Sequence, residues 1–225
     1  MQLGFFGRND LERWRARLAV LDTRLPPCRR KPVSQLVKSL ISGRTRDPVS
    51  LAAYHRLRDR FGSARGIATA SVPLIRETIA DVTFADSKAQ WLAAALQRIG
   101  REQPDFDLDF LGALPLDAAL AWLERLPGVG RKVAASTLNA STLRRPVFIV
   151  DSHVLRVLQR IGFIDTAADA RTASEVVTAA MPHWSGDDFL GLHIATKRLG
   201  QLACRPEAPA CPRCPLRGDC PSRGD

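Results

Sequence analysis

Apolar residues recur along this 225-residue chain at spacings of three and four, the rhythm of helices that bury one face. Leu11, Trp14, Leu18, Leu21 and Leu25 keep that rhythm behind Asn9 or Asp10 as a cap, predicting a first helix that Pro26-Pro27 ends. Val33, Leu36, Val37, Leu40 and Ile41 mark a second, stopping at Gly43. The polar loop Ser42-Gly43-Arg44-Thr45-Arg46-Asp47-Pro48 leads into a third that runs to about Phe61-Gly62, with Asp47 as N-cap and Pro48 at the first helical position. A short helix from Ser71-x-Pro73 to about Ala80 comes next, and beyond Val82 to Asp86 a longer one carries Trp91, Leu92, Ala95, Leu96 and Ile99. Leu116, Leu120 and Leu123 place another over Asp117 to Arg125, and Val133, Ser136 and Leu138 one more, to about Ser141. Helices then cover roughly Ser152 to Arg160, Ala168 to Ala180 and Asp187 to Ala203. The one β-prone run, Pro146-Val147-Phe148-Ile149-Val150, has no partner and reads as a buried extended connector into Asp151. The expected class is all-α.

Two of these helices flank Leu126-Pro127-Gly128-Val129-Gly130-Arg131-Lys132, a glycine hairpin. Gly128 and Gly130 permit positive φ and a close backbone approach, which leaves the first amides of the second helix pointing outward, and such a terminus binds an anion, most simply a phosphate. An ordinary tight turn between helices is the bland alternative. Four of the five cysteines fall near the C-terminus as Cys204-x6-Cys211-x2-Cys214-x5-Cys220, interleaved with five prolines. A proline-broken stretch has little core of its own, and four thiolates around a metal centre would supply the missing constraint. Coordination logic leaves zinc and an iron–sulfur cluster both open. Cys28 stands alone and is expected to be a small buried residue.

A hydrophobic content of 45% supplies a core, and 33 Lys and Arg against 23 Asp and Glu give a net charge of +10, which suits a polyanionic partner such as nucleic acid. Met1 to Phe6 meets Arg8, Asn9 and Asp10 at once, and no apolar run reaches the ~18 residues of a membrane span. A cytoplasmic protein with reduced thiols and no membrane partner is expected.

Together the hairpin, Val150-Asp151-Ser152-His153-Val154-x-Arg156 and the cysteine spacing resemble the endonuclease III family of helix-hairpin-helix DNA glycosylases, over roughly residues 33 to 220. The resemblance implies a two-lobed helix-hairpin-helix glycosylase fold. A six-helix barrel of residues 33–143 would carry the hairpin. A second domain, residues 1–32 and 144–225, would carry a 4Fe-4S cluster on Cys204, Cys211, Cys214 and Cys220. It further implies that Lys132 is the catalytic lysine and Asp151 the catalytic aspartate of a bifunctional glycosylase and AP lyase, a monomer removing oxidised pyrimidines from damaged double-stranded DNA.

The chemistry fits those residue types. An uncharged amine must attack C1′, form a Schiff base and permit β-elimination. A lysine of ordinary pKa is only ~0.04% neutral at pH 7, so burial, Arg131 and the helix N-terminus are expected to help Lys132 lose its proton. Asp151 would stabilise the cationic sugar as the base leaves. In isolation Lys132 also reads as a phosphate contact, Asp151 as a helix cap and His153 as a core histidine.

The flipped base leaves a gap to be filled. The family's filling loop typically reads Ser-Ala-Gln-Ala-Thr-Asp, whereas Ser42-Gly43-Arg44-Thr45-Arg46-Asp47 puts Arg44 at the glutamine position, where it either wedges or holds phosphate. Phe84 matches a second wedge position or lies in the core under its loop. Backbone amides around Gly128, Val129, Gly130 and Arg131, together with His153 and Arg205, complete the expected DNA contacts. Two rivals stay open: a monofunctional base or mismatch glycosylase, disfavoured by Lys132 and by a chain ending at Asp225, and a lesion-binding DNA module that does not cut.

Overall fold

The computed structural model describes residues 7–21 and 24–224. The opening residues Met1 to Phe6, where the absence of an apolar leader was read, lie outside them. Eleven α-helices and three short 3-10 turns make up the described elements, with no strand among them and one isolated bridge, Arg30 to Ser141. The helices are α1 Arg8–Leu18, α2 Pro32–Ser42, α3 Asp47–Phe61, α4 Ala64–Thr69, α5 Val72–Thr78, α6 Ala85–Glu102, α7 Leu116–Glu124, α8 Arg131–Asn139, α9 Ser152–Arg160, α10 Ala170–Ala180 and α11 Gly186–Leu202. They divide into two compact units, Cys28–Leu143 and the discontinuous Met1–Pro27 with Arg144–Asp225.

In the Cys28–Leu143 unit, α2 buries Leu36, Val37, Leu40 and Ile41. A buried polar triangle pins it to α8: Gln35 Nε2 donates to Ser39 Oγ at 3.0 Å and to Ser136 Oγ at 3.1 Å, and the two hydroxyls lie 2.9 Å apart. Every member is satisfied, so the contact fixes one register at little cost. Longest of the helices, α6 buries Leu92, Leu96 and Ile99, and its buried stripe also takes in Lys88. The short helix α4 goes beyond the sequence expectation. Ser63 caps it through Gly66 N at 3.2 Å, and six residues are too few to show a period.

The other unit is organised by Leu11, Trp14, Leu18, Phe148, Phe163 and Phe189, among others, with Trp14 edge-on to Phe163 at 5.7 Å. The connector 147–150 is buried, as expected, and forms no strand, and side chains take over the partners a strand would have had. Thr178 Oγ1 accepts from Phe148 N, Ser174 Oγ donates to Phe148 O, and His193 Nδ1 meets Ile149 O at 2.9 Å.

Several local expectations need correction. Helix α1 stops at Leu18, so Leu21 and Leu25 fall beyond it, and its N-cap is Gly7, whose amide donates to Asp10 Oδ2 at 2.7 Å. Helix α3 is capped by Arg46, which moves Asp47 and Pro48 to its first two positions. Cys28 is exposed, because it precedes the apolar face of α2 instead of lying on it.

Candidate functional site

The hairpin closes with Val129 N donating to Leu126 O at 3.1 Å. Its two glycines do different work. Gly128 has φ 73°, and a Cβ there would lie 2.6 Å from both Cβ and Cγ of Trp91 on α6. Gly130 has φ −94°, an ordinary value, so of the two glycines that permit positive φ only Gly128 uses it, and a Cβ at Gly130 would meet nothing within 4 Å. The first glycine lets the hairpin seat on Trp91; the second leaves open space before the first turn of α8, where a phosphate oxygen could approach. The Val129 side chain is buried, so it has only its backbone to offer a ligand. Arg131 turns back, its Nε donating to Glu124 Oε1 at 2.6 Å in a largely buried ion pair between α8 and α7. The cation expected beside Lys132 is thereby engaged elsewhere.

Lys132 is half-buried in the first turn of α8. Its Nζ donates to Ser42 Oγ at 2.8 Å and to Ser39 O at 3.3 Å, and Ser42 Oγ itself donates to Ser39 O at 2.9 Å. The amine therefore rests against the last turn of α2. That end carries the negative partial charge of the helix and carbonyls without intrahelical donors. The triangle of Gln35, Ser39 and Ser136 sits one turn behind it on both helices.

The two loops expected to touch DNA meet each other. Arg44 and Phe84 are both exposed, both take positive φ, at 53° and 59°, and the Arg44 guanidinium lies 5.8 Å over the Phe84 ring. Phe84 is 56% exposed, which removes the core reading.

In the other unit Asp151 caps α9, its Oδ1 accepting from His153 N at 2.9 Å and Val154 N at 3.0 Å. Lys197 Nζ stands 4.0 Å from Oδ2. Burial works to raise its pKa, but His193, the Val154 amide, Lys197 and His153 outweigh it and hold the carboxyl below its ordinary range. His193 and Lys197 come from α11, more than 40 residues away, so sequence reasoning missed them. His153 is partly buried with Nδ1 3.2 Å from Arg156 Nη2, and its backbone packs against Gly200, where a Cβ would come within 3.0 Å of His153 O.

Cys204, Cys211, Cys214 and Cys220 are partly buried. Burial pushes the Cys214 and Cys220 thiols up, and the neighbouring cysteines push the same way, so the four sulfurs are near enough to feel one another's charge. Arg160 clamps the segment, donating from Nη1 to Cys204 Sγ at 3.5 Å and Arg205 O at 2.5 Å, and from Nη2 to Pro206 O at 2.7 Å. Arg205 is exposed beside it. Among the described residues no three His, Cys, Asp or Glu groups converge on a single-ion site. Nor, among them, is any helix long and apolar enough to cross a membrane.

The family model described as "HhH-GPD superfamily base excision DNA repair protein" matches residues 37–183. Among curated proteins, the chain is 29% identical over 213 residues to an endonuclease III homolog of Encephalitozoon cuniculi, covering 88% of this chain and 83% of that one. It is 26% identical over 194 residues to endonuclease III of Thermotoga maritima, covering 84% and 82%. The chloroplastic endonuclease III homolog 1 of Arabidopsis thaliana is 28% identical over 202 residues, and there the chain spans about half (51%) of the relative's length. Among solved structures, a trapped endonuclease III–DNA covalent intermediate superposes with a TM-score of 0.80 at 20% identity, covering 97% of each chain, which shows the fold.

Proposed function

The chain belongs to the HhH-GPD superfamily of base excision DNA repair proteins, and on that premise we propose that it is a bifunctional DNA glycosylase and AP lyase acting on oxidised pyrimidines in damaged duplex DNA. The observation that carries this reading is the docking of Lys132, a single amine held by Ser42 and Ser39 in the first turn behind the hairpin. A lysine kept only for a phosphate would gain from full exposure; this one is held back on a polar shelf.

In the proposed reaction the neutral Lys132 amine forms a bond to C1′ as the glycosidic bond breaks and the departing base takes up a proton. Opening of the sugar ring gives a Schiff base. Loss of a C2′ proton then expels the 3′ phosphate. Before attack Lys132 must shed a proton, and the Ser42 hydroxyl, which accepts from the amine and donates to Ser39 O, keeps its lone pair aimed while that happens. Asp151, held ionised, stabilises positive charge that develops on the sugar. Backbone amides at Gly130 and Arg131 would hold a phosphate, and Arg205 and His153 are further proposed DNA contacts.

Four partly buried thiols in one proline-broken segment suit a four-thiolate centre, and the family pattern favours a 4Fe-4S cluster there over zinc. Cys204, Cys211, Cys214 and Cys220 would hold it, and it would supply a rigid cross-link. A monomer working in the cytoplasm completes the reading.

Borohydride trapping tests it. Wild type is expected to form a covalent adduct on duplexes bearing an abasic site or thymine glycol, and Lys132→Gln none. Trapping on the abasic site alone would narrow the lesion range, while no adduct from folded wild type on either would favour a monofunctional or non-cutting protein.

A further inference from the structure

The C-terminal end of α2 carries a second ammonium group that the proposed reaction does not use. Lys88, in the first turns of α6, is 3% exposed. Its Nζ donates to Ile41 O at 2.9 Å, to Gly43 O, and to Thr45 Oγ1 at 3.1 Å. Burying an ammonium is costly even when it is hydrogen-bonded, and here burial pulls the pKa down to about 8. Methionine or leucine would fill the same place on the stripe of Leu92, Leu96 and Ile99 without that cost. Packing does not explain the lysine, so what it holds must.

It holds two loops together. Thr45 Oγ1 also accepts from Thr83 N at 3.2 Å, so one ammonium and one hydroxyl join the loop after α2 to the turn before α6. On the outer side of that joint stand Arg44 and Phe84. Left-handed backbone is strained for a residue with a Cβ, and two such residues in cation–π contact and exposed need a rigid base to persist.

We propose that Lys88 is a positioning residue that locks Arg44 and Phe84 into one paired probe, which enters the duplex as a unit and reads the base opposite the lesion. The inference rests on the glycosylase reading above. An aromatic face inserts between bases, and a guanidinium held over it offers donors only. Such a probe favours an opposite base that presents two acceptors on one edge, guanine before adenine.

The test is equilibrium binding in the non-reacting Lys132→Gln background, on abasic duplexes with guanine, adenine or fluorescent 2-aminopurine opposite the site. Lys132→Gln is expected to raise the 2-aminopurine emission on saturation and to bind the guanine duplex roughly tenfold tighter than the adenine duplex. Adding Lys88→Met should abolish the emission rise and bring the guanine-to-adenine ratio close to one, with affinity for undamaged duplex unchanged. If Lys88→Met does not fold, Thr45→Val decides, since it removes the shared acceptor and should produce the same losses. Arg44→Ala and Phe84→Ala should each cost nearly as much as the double variant. The proposal is overturned if Lys88→Met keeps the emission rise and the ratio, or if the Arg44 and Phe84 losses simply add. Lys132→Gln binding abasic and undamaged DNA equally would overturn the glycosylase reading together with the proposal.

Discussion

Replacing Gly128 by alanine separates the two jobs of the hairpin glycines. At φ 73° an alanine pays roughly 1–2 kcal/mol of left-handed strain, and its Cβ would stand 2.6 Å from the Cβ and Cγ of Trp91. Those atoms are the root of the tryptophan side chain and cannot swing aside, so the overlap must be relieved by moving α6 or the hairpin, at about 1–3 kcal/mol. A stiffer unfolded chain returns some 0.4–1 kcal/mol. The net loss is about 3 kcal/mol. Urea titration followed by tryptophan fluorescence reads it directly, with Gly130→Ala as the comparison. That position has ordinary φ and open space, so Gly130→Ala should stay within about 0.5 kcal/mol of wild type. It should nevertheless weaken abasic-duplex binding, since the new methyl stands where a phosphate would come. Equal stability of Gly128→Ala and wild type, or equal destabilisation of both variants, would refute this division of labour.

Other consequences can be measured as simply. Asp151→Asn keeps an oxygen to cap α9 but loses the charge and the stability that goes with it, so melting at neutral pH should fall modestly while single-turnover base excision falls about 100-fold or more. Because the Asp151 pKa is held low, the charge and the stability it contributes are present above the ordinary carboxylate range and lost only as pH falls through the lowered value. An NMR pH titration of the Asp151 carboxyl carbon should therefore find its midpoint below the ordinary carboxylate range, and a midpoint within or above that range would count against Asp151 as the ionised group. Glu124→Gln takes the charge out of a largely buried ion pair and should cost more by denaturant titration than the roughly 0–1 kcal/mol of an exposed pair. Cys214→Ser should lower bound iron and visible absorbance together with melting temperature, and Cys28→Ser, on an exposed lone thiol, should leave all three unchanged.

The helical class was legible because most helices here bury a plain stripe, as α2 does with Leu36, Val37, Leu40 and Ile41. It failed where no period could develop, in six-residue α4, and where a rhythm continued past its helix, from Leu18 to Leu21 and Leu25. Lys132 could be singled out only through the family resemblance, since by itself its place behind the hairpin reads as a phosphate contact. Its acceptors could not, since Ser39 and Ser42 lie about 90 residues away and look like ordinary helix serines. Arg131 misled because local sequence put two cations together, while Glu124, one helix earlier, had already claimed it. Lys88 left a signal that was readable after all: it lies four, eight and eleven residues before Leu92, Leu96 and Ile99, where an apolar residue belongs.

Asp219, between two of the tail cysteines, accepts from Trp14 Nε1 at 3.0 Å, Arg17 Nη1 at 2.8 Å and Arg13 Nε at 3.3 Å, all on α1. A ribosome emits those partners 200 residues apart. At roughly 5–20 residues per second, α1 waits some 10–40 s for its clasp, while the continuous stretch Cys28–Leu143 has all its own contacts in hand long before. The apolar face of Leu11, Trp14 and Leu18 is thus made long before Phe148, Phe163 and Phe189, which share its core, and the polar clasp of Asp219 on α1 closes later still.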